Sequence, residues 1–176
     1  MKIFLIRHGQ TTGDIEDRYG GSYDDHMTEK GHEQLRATAQ KLSGKGIEVI
    51  FSSPLIRARE SAEIIAQAVG GAPVEVVEGL QERHYGVLTG LTKEEARQKY
   101  PEVVESHTDY MYTDPEGESY DDFYRRAVDT FKDILTKGHA TIAIISHGGP
   151  IKMILKHLGQ PAPEKLDDGH IIELDM

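Results

Sequence analysis

The residues best suited to chemistry in this sequence follow three short apolar runs. Arg7 and His8 follow the first run, Ser53 and Arg57 follow the second, and His147 follows the third. If these runs are parallel strands, their carboxyl ends meet at one edge of a sheet, where open α/β sheets bind their ligands. Taken singly, each histidine is better explained as a hydrogen-bonding residue of a loop. Together, the two histidines and two arginines predict a single site.

The chemistry that this set predicts is attack of a histidine on a phosphoryl group. An imidazole must be neutral to attack, and neighbouring guanidinium groups disfavour the charged ring. The same guanidinium groups neutralise the oxygens of the transferring phosphoryl group. The leaving oxygen needs a proton, and Glu82, which follows a further predicted strand, is the candidate acid. Gly148 and Gly149 begin a predicted helix whose backbone N–H groups can face an anion.

Other catalytic chemistries lack their motifs. The sequence has nine histidines but no cysteine, and no pair has a spacing typical of a metal site. Arg7, directly before His8, would also repel a cation. No nucleophile elbow of the Gly-x-Ser-x-Gly type is present, and no glycine-rich nucleotide loop follows a strand. We therefore expect no metal site.

Strands alternate with helices along the chain, which predicts an α/β fold in one layered domain. Residues 102–117 show no clear period and are predicted to be a loop. Predicted strands cover Lys2–Arg7, Glu48–Phe51, Val74–Val77, Thr141–Ile145 and Ile171–Leu174, and predicted helices open at Thr28, open at Ser53-Pro54, and cover Thr92–Tyr100, Tyr120–Leu135 and Ile151–Leu158.

Composition limits the partners. The chain has 176 residues with 20 basic and 30 acidic side chains, a formal charge of −10, which argues against nucleic-acid binding. A small anionic substrate held by a few clustered arginines remains compatible with this charge. No apolar run approaches the ~18 residues of a membrane span, and the N-terminal run is too short for a signal peptide. We expect a cytoplasmic protein that binds neither membrane nor nucleic acid.

Six segments carry a family resemblance. They are LIRHGQT, HMTEKGHEQ, SSPLIRARESAEI, ERHYGVLTG, PEGES and ISHGGPI, in family order over nearly the whole chain. In these segments the chain resembles the histidine phosphatase (phosphoglycerate mutase-like) superfamily. The resemblance implies a three-layer α/β/α sandwich with a mostly parallel central sheet, formed by a single domain over residues 1–176. It also implies catalysis without a metal.

The resemblance implies a role for each matched residue. His8 would carry the phosphoryl group as phosphohistidine, and Glu82 would donate and accept the proton. Asp14 stands where members commonly carry asparagine, and an ionised carboxylate there would repel phosphate unless it is turned away or protonated. The phosphoryl-binding residues would be Arg7, Arg57, His147 and Gly148, and further substrate-binding positions would be Asp14, Gly20, Gly21, Arg83, Tyr85 and Lys93.

Three functions remain open from the sequence. The short interval from Glu82 to His147 and the PEGES turn favour a phosphatase of a small phosphorylated metabolite. Arg83, Tyr85 and Lys93 instead resemble the substrate contacts of cofactor-dependent phosphoglycerate mutases, which would need 2,3-bisphosphoglycerate as a primer. A non-catalytic module that binds a phosphorylated ligand is the third alternative, and the complete catalytic set argues against it. A homodimer is left open.

Overall fold

A five-stranded sheet organises the molecule, and the computed structural model describes all residues from 1 to 176. The strand order is β3-β2-β4-β1-β5. The first four strands in this order run parallel, while β5 pairs antiparallel with β1 at one edge. The mostly parallel sheet is thereby confirmed. The strands are β1 (Lys2–Arg7), β2 (Val49–Ser52), β3 (Val74–Val76), β4 (Thr141–Ser146) and β5 (Ile171–Asp175).

Helices cover both faces of this sheet, which confirms the three-layer arrangement. Leu5 and Ile144 pack on one face of the sheet with helix residues such as Phe131. Phe4 and Ala143 pack on the other face. The alternation follows from the period of two in a strand. The helices are α1 (Thr12–Ile15), α2 (Glu29–Leu42), α3 (Ile56–Ala68), α4 (Lys93–Lys99), α5 (Pro101–Ser106), α6 (Tyr120–Leu135) and α7 (Gly148–His157). Helices α6 and α7 cover the first face, and α2 and α3 the second.

Helix α3 begins later than its sequence predicts. Ser53 and Pro54 were expected to cap and open it, but the first helical residue is Ile56. The amide of Ile56 donates to the Asp24 carboxylate at 2.7 Å, so the cap comes from a segment distant in sequence. The Ser53 amide donates instead to the Ile145 carbonyl at 2.9 Å, which keeps Ser53 beside the sheet.

Helix α7 begins at Gly148, at the predicted Gly148-Gly149 start, with the extended His147 as its first flanking residue. Three further elements differ from prediction. Pro101 does not end the helical region. Tyr100 is not helical, and Pro101 is the first residue of α5, which extends into the stretch 102–117 that was predicted to be a loop. The short α1 was not predicted, and it depends on a capping box between Thr11 and Asp14. Strand β2 is displaced by one residue from Glu48–Phe51.

No helix in the structure has both the length and the apolar character of a membrane span.

Candidate active site

The ends of β1 and β4 bring two histidines together. The strands are parallel neighbours with Arg7 opposite Ser146, and the His8 amide donates to the Ser146 carbonyl at 3.1 Å. His8 and His147 therefore leave the sheet side by side, with ring centroids 5.0 Å apart. Both rings are buried, with exposed fractions of 5% and 0%. The parallel strand ends thus bring together the two histidines that the sequence singled out.

Hydrogen bonds fix the tautomer of each ring. Nδ1 of His8 lies 2.7 Å from the Gly9 carbonyl oxygen, which can only accept, so Nδ1 carries the proton and Nε2 keeps its lone pair. Nε of Arg57 lies 3.3 Å from that Nε2 and 3.3 Å from Nδ1 of His147. His147 is therefore protonated on Nε2, which donates to the Ser53 hydroxyl at 2.7 Å. His8 presents a free nitrogen next to a guanidinium group.

The electrostatics keep both histidines neutral. Burial, followed by the charges of Arg57 and Arg7, holds the pKa of His8 well below its usual 6.5, while its bond to the Gly9 carbonyl opposes the shift. Burial, with Arg57 next in size, lowers the pKa of His147 in the same way. A neutral imidazole is the form that can attack phosphorus, so His8 is ready to act as a nucleophile at neutral pH.

Arg57 is held by a buried acid. Its Nη1 lies 2.8 Å from the Asp25 carboxylate, and both side chains are 4% exposed. Nη2 donates to the Gly21 carbonyl at 2.8 Å. The other oxygen of Asp25 accepts from the Gly13 amide at 3.0 Å. Asp25 therefore fixes the guanidinium orientation and compensates its buried charge.

Arg7 has one donor without a partner. Its Nη1 lies 3.3 Å from the Asp168 carboxylate and donates to the Leu166 carbonyl. Its Nε is buried and forms no hydrogen bond within the protein. A buried donor without a partner costs folding free energy. This N–H group is therefore suited to donate to an anion that binds beside His8.

Glu82 is fixed at the start of α7. One carboxylate oxygen accepts from the Gly149 amide at 3.0 Å, and the other accepts from the Arg83 amide at 2.9 Å. A Cβ at position 149 would lie 2.1 Å from the Glu82 carboxylate, so any larger residue there would displace this carboxylate. Arg126 supports the segment from α6 by donating to the Gln81 carbonyl at 2.9 Å.

These groups line an open cavity of about 350 Å³ that contains few apolar side chains. His147 is fully buried behind His8, and Gly148 lines an adjoining cavity instead. Of the residues predicted from the sequence, the structure brings the following to the main cavity: Arg7, His8, Asp14, Gly20, Gly21, Arg57, Glu82, Tyr85 and Lys93.

Arg83 does not reach either cavity, contrary to its predicted place among the substrate contacts. Its guanidinium is buried and donates to three backbone carbonyls, those of Tyr110 at 2.7 Å, Tyr112 at 2.8 Å and Glu118 at 3.0 Å. All three acceptor carbonyls lie on the loop between α5 and α6, so Arg83 positions that loop. Lys93 does line the cavity, but its ammonium pairs with Asp17 at 2.7 Å.

Asp14 is exposed and turned toward its own helix. Its carboxylate accepts from the Thr11 amide at 2.8 Å, which completes the capping box of α1. It lies at the cavity rim with one carboxylate oxygen directed to the backbone N–H of Thr11.

Sequence reasoning missed several residues that line the cavity or hold its arginines. Asp25 and Asp168 carry no local motif, because each is recognised only by the arginine that it meets in space. His107 lies in the stretch predicted to be a loop; its Nδ1 is 2.9 Å from the buried Asp114 carboxylate, and its ring packs edge-on against Tyr85. A histidine and an aspartate seven positions apart give no periodic signal.

Replacing Asp25 by asparagine is expected to lower the free energy of unfolding by about 2–4 kcal/mol, because it leaves the buried Arg57 without its counter-charge. Inorganic phosphate should restore part of this loss by taking over that charge. Thermal unfolding with and without phosphate measures both effects, and the phosphate-induced rise in Tm should be larger in Asp25→Asn than in the wild type. Asp129→Asn, which removes an exposed carboxylate of α6 paired with Lys132, is the control. Equal rises in all three proteins would contradict this account of Asp25.

No group of three or more histidine, aspartate or glutamate side chains is arranged to hold a metal ion. The positive charge of the cavity comes from arginine and lysine side chains.

Comparison with known proteins places this site in context. A family model for the histidine phosphatase superfamily (branch 1) matches residues 3–174. The 2,3-bisphosphoglycerate-dependent phosphoglycerate mutase 2 of Gloeobacter violaceus is 32% identical over 172 residues, which cover 94% of this chain and 78% of the mutase. The α-ribazole phosphatase of Shigella flexneri has a similar structure with a TM-score of 0.86 and 25% identity, covering 100% of this chain and 91% of that one. YhfR of Bacillus stearothermophilus gives a TM-score of 0.89 at 26% identity, with 99% and 90% covered.

Proposed function

Since the chain belongs to the histidine phosphatase superfamily (branch 1), we propose that it is a metal-independent phosphomonoesterase of a small phosphorylated metabolite. The observation that carries the proposal is the His8 ring, which lines the cavity with its protonated Nδ1 bound to the Gly9 carbonyl and its unprotonated Nε2 3.3 Å from Nε of Arg57. A buried neutral nucleophile next to a guanidinium group is what phosphoryl transfer to nitrogen requires. A module that only binds its ligand has no need of this arrangement.

In the first half-reaction, Nε2 of His8 forms a bond to phosphorus as the ester P–O bond breaks. Arg7 and Arg57 neutralise the phosphoryl oxygens, and the unpartnered Nε of Arg7 gains its missing acceptor. Glu82 gives its proton to the leaving alkoxide. Its carboxyl group is held by two backbone amides, which fix its position relative to α7.

In the second half-reaction, water attacks the phosphorus of phosphohistidine. Glu82, now a carboxylate, takes the proton of this water as the N–P bond breaks. Inorganic phosphate leaves and His8 returns to its neutral form. The residue that acted as acid in the first step thereby acts as base in the second.

Phosphoglycerate mutase is the second candidate, and the likeness to curated mutases favours it. A mutase must retain its phosphohistidine and hold the carboxylate of an intermediate while that intermediate reorients. The two cations that the sequence offered for this task are engaged: Arg83 binds backbone carbonyls and Lys93 pairs with Asp17. These contacts support hydrolysis over mutase activity, as does the name of the Shigella flexneri relative of similar fold, a phosphatase.

A panel of small phosphomonoesters, assayed with and without 2,3-bisphosphoglycerate, tests the proposal. We expect inorganic phosphate to be released from alkyl phosphates without a primer. Conversion of 3-phosphoglycerate to 2-phosphoglycerate with little release of phosphate would establish the mutase instead. Binding of phosphorylated ligands without any turnover would establish the non-catalytic module.

Chelators are expected to leave the rate of phosphate release unchanged. The positive charge that the phosphoryl group needs comes from Arg7 and Arg57, with backbone N–H groups of α7 nearby. The rate should be compared before and after prolonged dialysis against a strong chelator, and again after zinc or magnesium is added. Activity that is lost and then restored by either metal would refute the arginine-based account.

A further inference from the structure

A second cavity of about 330 Å³ adjoins the first, and Arg7 and Tyr85 line both. Its floor is formed by Gly148 and Gly149 at the start of α7, and one side of it by the segment 164–166. None of the roles described so far requires this space. We call it the lysine cavity, after Lys152 and Lys165, which line it.

The leaving group of the substrate lies at the junction of the two cavities. Glu82 lines the first cavity, and its carboxylate is bonded at 3.0 Å to the amide of Gly149, which lines the second. An alkoxide that takes its proton from Glu82 must therefore lie next to this boundary. The remainder of the leaving group can extend from there along α7.

Neither lysine of the lysine cavity forms a salt bridge, although Glu164 also lines the cavity and the charge of Asp168 is felt at Lys165. Lys152 donates to the backbone carbonyl of Glu164 at 2.6 Å, and Lys165 forms no salt bridge. The outer part of the first cavity is different, because Lys93 is paired with Asp17 and Arg18 with Glu16. Among the lysines beside the active site, those of the second cavity are the ones available to an anion.

The opposite wall is aromatic and remains uncharged. Burial, together with the nearby Glu82 carboxylate, raises the pKa of both Tyr85 and Tyr110 above its usual value of 10. A neutral, partly desolvated wall lowers the local dielectric constant and thereby strengthens the field of the lysines. The cavity thus combines a neutral face for the carbon skeleton with a cationic face.

We propose that the lysine cavity binds a second anionic group, a carboxylate or a phosphate, carried by the leaving group of the phosphomonoester. This inference rests on the proposed function and narrows it to substrates that bear two anionic groups. Lys152 and Lys165 are the specificity-determining residues, and Tyr85 and Tyr110 contact the carbon skeleton between the two anions.

Matched ligands separate the two sources of negative charge. In the first pair, 3-phosphoglycerate carries a carboxylate where glycerol 3-phosphate carries a hydroxymethyl group. In the second pair, 1,3-propanediol bisphosphate carries a second phosphate that the monophosphate lacks. Dissociation constants are measured by calorimetry in the His8→Ala background, where turnover cannot interfere. We expect the member with two anionic groups, in at least one pair, to bind about fivefold to tenfold more tightly than its partner, as two partly exposed ion pairs would give.

The same measurements on Lys152→Met/Lys165→Met should abolish this preference and leave the affinity for glycerol 3-phosphate within twofold. Because Lys152 also holds the Glu164 carbonyl, Lys165→Met alone is included as a variant that removes charge without a structural hydrogen bond. Lys156→Met is the matched control, since Lys156 lies one turn further along α7 and donates to the Tyr120 hydroxyl. It should retain the full preference.

The outcomes distinguish this inference from the proposed function. Equal affinities for both members of both pairs, or a preference that survives in the double variant, would overturn the lysine cavity as an anion site. Turnover of glycerol 3-phosphate by the protein with His8 intact would then still support the phosphatase. If the His8→Ala protein shows a lysine-dependent preference but the protein with His8 intact hydrolyses no ester, the cavity is supported and the phosphatase is refuted.

Discussion

His8→Ala is expected to release phosphate at a rate lower than that of the wild type by a factor on the order of 10⁴ or more. The reason is that Nε2 of His8 is an unprotonated nitrogen, and His8 lines the cavity beside the guanidinium of Arg57. His147 cannot replace it, because its ring is fully buried outside the cavity lining and its Nε2 donates to Ser53. The loss should appear with every ester, since all of them must pass through the same phosphohistidine.

Rapid acid quench is less suited than alkaline quench to trapping this intermediate, because a phosphoryl group on histidine is labile in acid and stable in base. Wild-type protein mixed with labelled substrate and quenched in base should carry label, and His8→Ala should carry none. His26→Ala removes an exposed histidine paired with Glu60 and serves as the control. Turnover at the wild-type rate in His8→Ala would refute the nucleophile assignment, and unchanged thermal unfolding would show that the fold is intact.

Glu82→Gln is expected to slow the hydrolysis of alkyl phosphates by about 10²–10⁴-fold, which is the usual contribution of a general acid. Glutamine preserves the shape and can still accept from the Gly149 amide, but it has no proton to give. p-Nitrophenyl phosphate should lose far less, because its phenolate leaves with little need of a proton. The ratio of the two losses therefore reports proton donation separately from any change in binding.

Measuring kcat/KM for both esters in both proteins gives this ratio directly. Glu116→Gln, an exposed carboxylate on a nearby loop, provides the control and should not change either rate. Equal losses on the alkyl and aryl esters would assign Glu82 a structural role and require another acid.

The parts of this fold that sequence reasoning predicted are those determined by local patterns. The apolar run of β4 and the amphipathic helix Tyr120–Leu135 bury the residues that their periods indicate. Because parallel strands place their carboxyl ends at one edge, His8 and His147 could be expected to meet before any coordinates were known. Gly148 and Gly149 were predicted to begin a helix whose backbone N–H groups can face an anion, and the Gly149 amide donates to the Glu82 carboxylate.

The parts that were not predicted depend on contacts between distant segments. Nothing near Ile56 in sequence indicates that Asp24 caps α3. Arg83 is a residue type that often contacts anionic ligands. Only the fold shows that its guanidinium donates to backbone carbonyls of the loop after α5 instead. Charged side chains are ambiguous for this reason: the same guanidinium can bind a substrate or a loop, and the tertiary partner decides.

Two adjacent aspartates link the conformation of residues 20–25 to the position of the Arg57 guanidinium. The Asp24 carboxylate caps α3, the helix that carries Arg57. Asp25 pairs with the Arg57 guanidinium, which also donates to the Gly21 carbonyl. Residues 20–25 are therefore a clasp that closes over its own arginine, and local opening of this clasp would release the helix start and the phosphoryl-binding charge in one cooperative event. A bound phosphate, by tightening Arg57, restrains this fluctuation, so that occupancy of the site and rigidity of the segment rise together.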